Sequence, residues 1–290
     1  MSTPPKTLTH NPNQSWTVVS HRRNRKRPKS KSNPNPDQFE TLTLKSPIPW
    51  TPLDSQPNPI LQSKLLSKLQ SSLSKLKSSQ FYNQFLSQLQ CPQIQSGLNK
   101  LLSFNPQFDL IIYGIGSIDS YETPRLQLSL ALLILDRLKP QISSIEVFDP
   151  IISTAEQAVI EQLGVAVMGV DERGRREVKV PTLFFMPHCE VQLYDNLLDA
   201  NWGCENLNKM VILGNSFGEY ERYVEEKKGA SGSVKVEEAG KRVIGSRRFV
   251  REVRLEGGED CDDDNGFFRA FHDISWHFFD VGQDVHLDFV

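Results

Sequence analysis

The apolar positions change their period along the chain. Leu66, Leu69, Leu73 and Leu76 recur at three- and four-residue intervals, and Phe81, Phe85 and Leu89 continue at every fourth position. That is the spacing of one helical face, and it predicts one or two amphipathic helices within a helical segment 59–104 that packs on the domain C-terminal to it. Beyond Phe108 the pattern becomes short apolar runs: Asp109–Tyr113, Ser144–Phe148, Val165–Val170, Thr182–Met186 and Lys209–Leu213. Helical repeats separate them. Leu126, Leu130, Leu133 and Leu138 follow Thr123 as N-cap and Pro124 at the first helical position. Ser153 or Thr154 caps the next helix and Gly164 ends it, while Val191, Tyr194, Leu197 and Leu198 form a third. Strands apolar on both faces, alternating with helices, belong to parallel sheets covered on both sides. The expected fold is therefore α/β, a three-layer Rossmann-like sandwich with a mostly parallel sheet over 105–290. Past Tyr223 the pattern weakens, with Arg247–Leu255 partly strand, and Phe271–Phe279 reads as a buried strand or aromatic plug that re-enters the core.

Residues 1–58 carry no sustained period and are rich in Pro, Asn, Ser and Thr. Such a segment buries too little apolar surface to offset the entropy of ordering it, so a disordered tail is expected. Charge sharpens the division. The first 50 residues hold nine Lys/Arg and two Asp/Glu, or 9 − 2 = +7, so a net charge of −2 leaves −2 − 7 = −9 on the rest. A folded part this acidic lacks the positive field that phosphate backbones require, so direct nucleic-acid binding by it is not expected. Within the tail, Arg22, Arg23, Arg25, Lys26 and Arg27 form a dense cluster that reads as a nuclear-import signal, with a solvated basic tail as the plainer alternative. Four cysteines (Cys91, Cys189, Cys204, Cys261) are widely spaced, and no secretory or membrane-spanning run stands out. Free thiols in a reducing compartment and no membrane association are the expectation.

Open parallel sheets bind ligands beyond the carboxyl ends of their strands. Those ends carry Gly114, Gly116 and Ser117, then Asp149, then His188 and Cys189, then Asn215 and Ser216. Their convergence is the candidate ligand site. Gly114-x-Gly116 permits a tight turn and close backbone approach, but Asp119 stands where a dinucleotide loop has its third glycine, and its charge opposes a pyrophosphate. Adjacent His188 and Cys189 point apart on leaving a strand, which makes no nucleophile–base pair. They supply at most two ligands where zinc takes three or four. No catalytic residue and no metal site is assigned, and the cofactor stays open. Asn215-Ser216 capping the next helix is as good a reading as ligand contact.

The same strand ends carry a family likeness. Tyr113-Gly114-Ile115-Gly116-Ser117, Arg125-x-Gln127-Leu128, Phe148-Asp149-Pro150, Met186-Pro187-His188-Cys189, Tyr194-x-Asn196-Leu197-Leu198-x4-Trp202 and Leu213-Gly214-Asn215-Ser216-Phe217 resemble the domain of the sensitivity-to-red-light-reduced family. The Trp16-Thr17-Val18-Val19 segment ahead of the basic cluster is similar to its plant members. The resemblance implies a regulator of a circadian-clock input pathway and of phytochrome B signalling, found in nucleus and cytoplasm, with signalling or nuclear-import proteins as partners. Family members outside plants are linked to haem metabolism and microtubule stability, so the resemblance implies a pathway and no reaction. The chain then has two readings: a regulator whose Rossmann-like domain binds a partner or small ligand, or a small-molecule enzyme using a nucleotide-type cofactor or S-adenosylmethionine at that edge.

Overall fold

The computed structural model describes residues 46–52, 54, 56, 58–227, 237–256, 266–283, 285 and 287. The basic cluster at 22–27, most of the tail and the acidic stretch 257–265 lie outside the described residues.

Three helices open the fold where one or two were expected: α1 (Pro59–Lys77), α2 (Gln80–Leu89) and α3 (Pro92–Phe104). Asn58 Oδ1 accepts the Leu61 N–H at 3.0 Å and Ser79 Oγ accepts the Tyr82 N–H at 3.1 Å, so each of the first two helices starts on a side-chain cap. The third begins at Pro92, and its inner face of Ile94, Gly97, Leu98 and Leu101 includes a glycine, which breaks an apolar stripe in the sequence. On α1 the buried face is Leu65, Leu69, Ser72 and Leu76, with Leu66 and Leu73 half-buried beside it.

The strands of the main sheet are β2 (Phe108–Tyr113), β3 (Ile142–Phe148), β4 (Ala166–Val167), β6 (Thr182–Met186), β7 (Met210–Asn215), β8 (Val250–Arg254) and β9 (Ile274–Phe279). They lie in the order β4-β3-β2-β6-β7-β9-β8. The first five run parallel, and β9 is antiparallel to both β7 and β8. Side chains alternate across it. Leu110 and Ile112 of β2 join a core made with α1 to α3, α4 (Glu122–Leu138) and α5 (Thr154–Gln162). Ile111 and Tyr113 join a second core with α6 (Val191–Ala200), α8 (Phe217–Lys227) and α9 (Lys241–Ser246). The three-layer α/β architecture is as expected. Two short helices, α7 (Cys204–Asn208) and α10 (Phe267–Phe271), complete it.

Two local expectations are corrected. Val165–Val170 is not one strand: β4 pairs with β3, then the chain turns away and β5 (Val170–Asp171) pairs antiparallel with β1 (Ile48–Pro49). The break falls at Gly169, whose carbonyl accepts the Trp50 N–H at 2.9 Å. The α4 helix starts two residues earlier than expected, with Tyr121 in place of Thr123 as N-cap. Pro124 is tolerated there because the first turn has no intrahelical acceptor for its N–H in any case.

Candidate functional site

From β2 the chain crosses through α4 to β3 on one side, and later returns to β6 on the other, so the sheet's switch point lies between the loops after β2 and β6. Every ligand-site candidate singled out from the sequence lies at this carboxyl edge or at the end of the neighbouring β3 or β7.

The loop after β2 has Gly114 at φ 68° and Gly116 at φ 81°, backbone conformations that favour glycine. A Cβ on Gly114 would lie 2.5 Å from the Cys189 Sγ, so the missing side chain is what lets the two loops meet. The Cys189 sulfur is buried against the Tyr113 carbonyl at 3.4 Å, and burial pushes its thiol up, away from the thiolate a nucleophile needs. Its neighbour His188 points elsewhere. Held at φ 54°, it donates its N–H to Asn215 Oδ1 at 2.6 Å. Its ring accepts from the Gln127 amide at Nδ1 (3.3 Å) and donates from Nε2 to the His272 carbonyl (3.2 Å), the pattern of a neutral imidazole. Burial, with the His272 ring 4.5 Å away, lowers its pKa to about 4. Asn215 Nδ2 donates to the Cys189 carbonyl at 3.2 Å, and the Asn215 N–H donates to the Tyr194 hydroxyl at 2.8 Å. Gly114, His188, Cys189 and Asn215 thus form one connected network.

A second network surrounds Gly116 and Ser117. Asp149 accepts the Gly116 N–H at 2.7 Å and the Ile151 N–H at 3.0 Å. Burial raises the Asp149 pKa in spite of those donors. Glu156, buried at the start of α5, forms a capping box with Ser153, its Oε2 accepting the Ser153 N–H at 2.8 Å. Its other oxygen accepts the Ser117 hydroxyl at 2.8 Å and the Asp119 N–H at 2.9 Å. Two carboxylates therefore hold the donors that would cradle a phosphate in a dinucleotide loop. A phosphate bound there would have to displace them. Asp119 is pinned from outside by Lys68 at 2.8 Å. Ser216 stands apart from both networks: its Oγ accepts the Glu219 N–H at 3.1 Å as the cap of α8, and its own N–H donates to the Asp273 carbonyl at 2.7 Å.

The structure adds Gln127, Glu156, Tyr194 and His272 to this edge. Ser153-x-x-Glu156 is readable as a capping box, but the reach of Glu156 to Ser117 is a tertiary contact with no local signal. His272 is the imidazole nearer solvent, its Nδ1 donating to the Phe268 carbonyl at 2.9 Å. Tyr121, Ile151 and Phe268 rim the edge and are 67%, 57% and 39% exposed. The arrangement offers an imidazole within an apolar and aromatic rim. Among the described residues, no group of three or more His, Cys, Asp or Glu could hold a metal, and no helix is long and apolar enough to cross a membrane.

The SRR1 domain family matches residues 65–278, which takes in the whole of this edge. The chain is 44% identical to the Arabidopsis thaliana protein SENSITIVITY TO RED LIGHT REDUCED 1 over 82% of its own length and 83% of that protein's. It is 43% identical to a mouse SRR1-like protein over 37% of this chain and 43% of the mouse chain. Among solved structures, the plantazolicin methyltransferase BpumL in complex with SAH aligns over 76% of this chain and 98% of its own, at 10% identity and a TM-score of 0.31. With the family matched from Leu65 to Phe278 and a relative alignable over four-fifths of both chains, the chain belongs to the SRR1 family.

Proposed function

We propose that this protein is a plant regulator of red-light signalling that feeds the circadian clock and the phytochrome B pathway, acting in nucleus and cytoplasm through the carboxyl edge of its Rossmann-like sheet. The supporting observation is the 44% identity to a red-light-sensitivity protein along 82% of this chain and 83% of that one. Its partners are signalling proteins and the import machinery, the latter meeting Arg22, Arg23, Arg25, Lys26 and Arg27. The edge acts in recognition: Cys189 is held protonated, His188 is locked neutral, and the glycine-loop donors are taken by Asp149 and Glu156, which favours a partner or small ligand without phosphate.

The test is rescue of an Arabidopsis line lacking its own SRR1 protein with a fluorescent fusion of this chain. Restored red-light hypocotyl response and clock period are expected, with signal in both compartments. An Ala replacement of the five basic residues should empty the nucleus and reduce rescue. A well-expressed fusion that restores neither response would sink the reading.

A further inference from the structure

The crossover from β4 to β6 contains no helix. In its place a loop runs from Met168 to Pro181 over the sheet face that carries Asp109, Ile111 and Tyr113. Beneath it lies a cavity of about 700 Å³, within the range of small-molecule sites. It opens toward the amino ends of β2 and β6, lined by Asp109 and Thr182 from those ends, and so is separate from the carboxyl edge.

The walls are built in advance of any ligand. Arg173 and Gly174, at φ 53° and 74°, make a tight turn closed by the Arg175 N–H on the Glu172 carbonyl at 2.8 Å. Asn201 clamps the loop to α6, taking the Val178 N–H at 2.7 Å and donating to the Arg176 carbonyl at 2.7 Å. The lining charges nearest the sheet are already matched. Arg175 pairs with Asp199 at 2.8 Å, and Arg176 pairs with Glu146 at 2.7 Å and Glu172 at 2.8 Å. Asp109 accepts the Ser143 and Ser144 hydroxyls at 2.6 and 2.7 Å.

Two lining charges differ. Glu177 and Lys179 are exposed and have no hydrogen-bond or ion-pair partner among the described residues. Val178 between them is buried with its N–H on Asn201, while the two flanking residues line the cavity. One free carboxylate and one free ammonium, two residues apart in sequence, therefore border the same cavity. A ligand of a single sign meets one partner and one repulsion there. A molecule carrying both signs satisfies both.

We propose that this cavity binds a zwitterionic small molecule of amino-acid size, its carboxylate toward Lys179 and its ammonium toward Glu177. The test is thermal unfolding of the full chain with the neutral L-amino acids, one at a time at about 10 mM, beside citrate and spermidine as single-sign controls. A ligand at roughly ten times its dissociation constant raises Tm by about 2 to 4 °C in a domain of this size. At least one amino acid should do so, and Glu177→Ala and Lys179→Ala should each weaken its binding about tenfold while unfolding at the unliganded wild-type temperature. The proposal is overturned if no amino acid shifts Tm, if citrate or spermidine shifts it equally, or if the shift survives in both variants.

Discussion

Gly114 carries two constraints on one Cα: φ of 68°, and a Cys189 Sγ standing 2.5 Å from where a Cβ would be. The first costs a non-glycine residue about 1 kcal/mol and the second forces a packed loop to move, so Gly114→Ala should lose roughly 3 kcal/mol in urea denaturation. Adding Cys189→Ala removes the obstructing sulfur and leaves only the backbone term, so the double variant should recover at least 1 kcal/mol relative to the sum of the singles. Strict additivity would mean that the loop-to-loop contact is not what glycine protects. At this scale the sequence discloses which residues reach the edge, because strand ends mark it. It does not disclose that they are spent on one another. The Gly116 N–H goes to Asp149, Ser117 to Glu156, and the His188 N–H to Asn215, pairings that join loops far apart in sequence. His188 and Cys189 diverge as adjacent residues leaving a strand should, and Ser216 takes the plainer of its two readings, a helix cap.

Among elements, α3 presses directly on β9. Gly97 of α3 lies over Phe278 of β9 so tightly that a Cβ would fall 2.0 Å from the ring's Cδ1. Helix propensity alone favours alanine over glycine by about 1 kcal/mol. The contact reverses the sign, and Gly97→Ala should destabilise by about 2 kcal/mol or more, measured as a lower urea midpoint at unchanged m-value. Shortening the partner with Phe278→Leu should make the same Gly97→Ala change nearly neutral; a stabilised single variant would show that α3 does not press on the sheet. Elements were legible where their period was unbroken. The expected Thr182–Met186 strand is β6 to the residue, a run of apolar residues bounded by Pro181 and Pro187. Legibility failed where a glycine interrupted the pattern, hiding the third helix at Gly97 and dividing the supposed third strand at Gly169.

Over the whole molecule, alternation of short apolar strands with helices was enough to reveal a mostly parallel three-layer sandwich. The placement of β9 between β7 and β8 was not readable, since pairing partners about sixty residues apart leave no local trace. That placement buries His277 completely, and burial lowers its pKa, as it lowers that of His188 to about 4. Both imidazoles stay neutral in the fold but take up protons in the unfolded chain below its ordinary value near 6.5. Their contribution is complete above that value and is lost as pH falls toward 4. Asp195 works in the opposite direction. Burial, helped by the nearby Asp199 carboxylate, raises its pKa to about 6, against the two backbone N–H groups of α9 that it accepts and the Arg242 guanidinium. The strain of ionising it is present above about pH 6 and relieved in acid. Asp149, also raised by burial, acts in the same sense as Asp195, so between pH 6.5 and 5 the fall in stability set by the two histidines is partly offset. His188→Gln should make that fall shallower by up to about 1.4 kcal/mol per pH unit, the value of one proton, and Asp195→Asn should make it steeper. Urea midpoints at several pH values in this window measure both slopes. An unchanged slope in His188→Gln would mean that the imidazole already exchanges protons with solvent, and that the carboxyl edge is open where this structure has it closed.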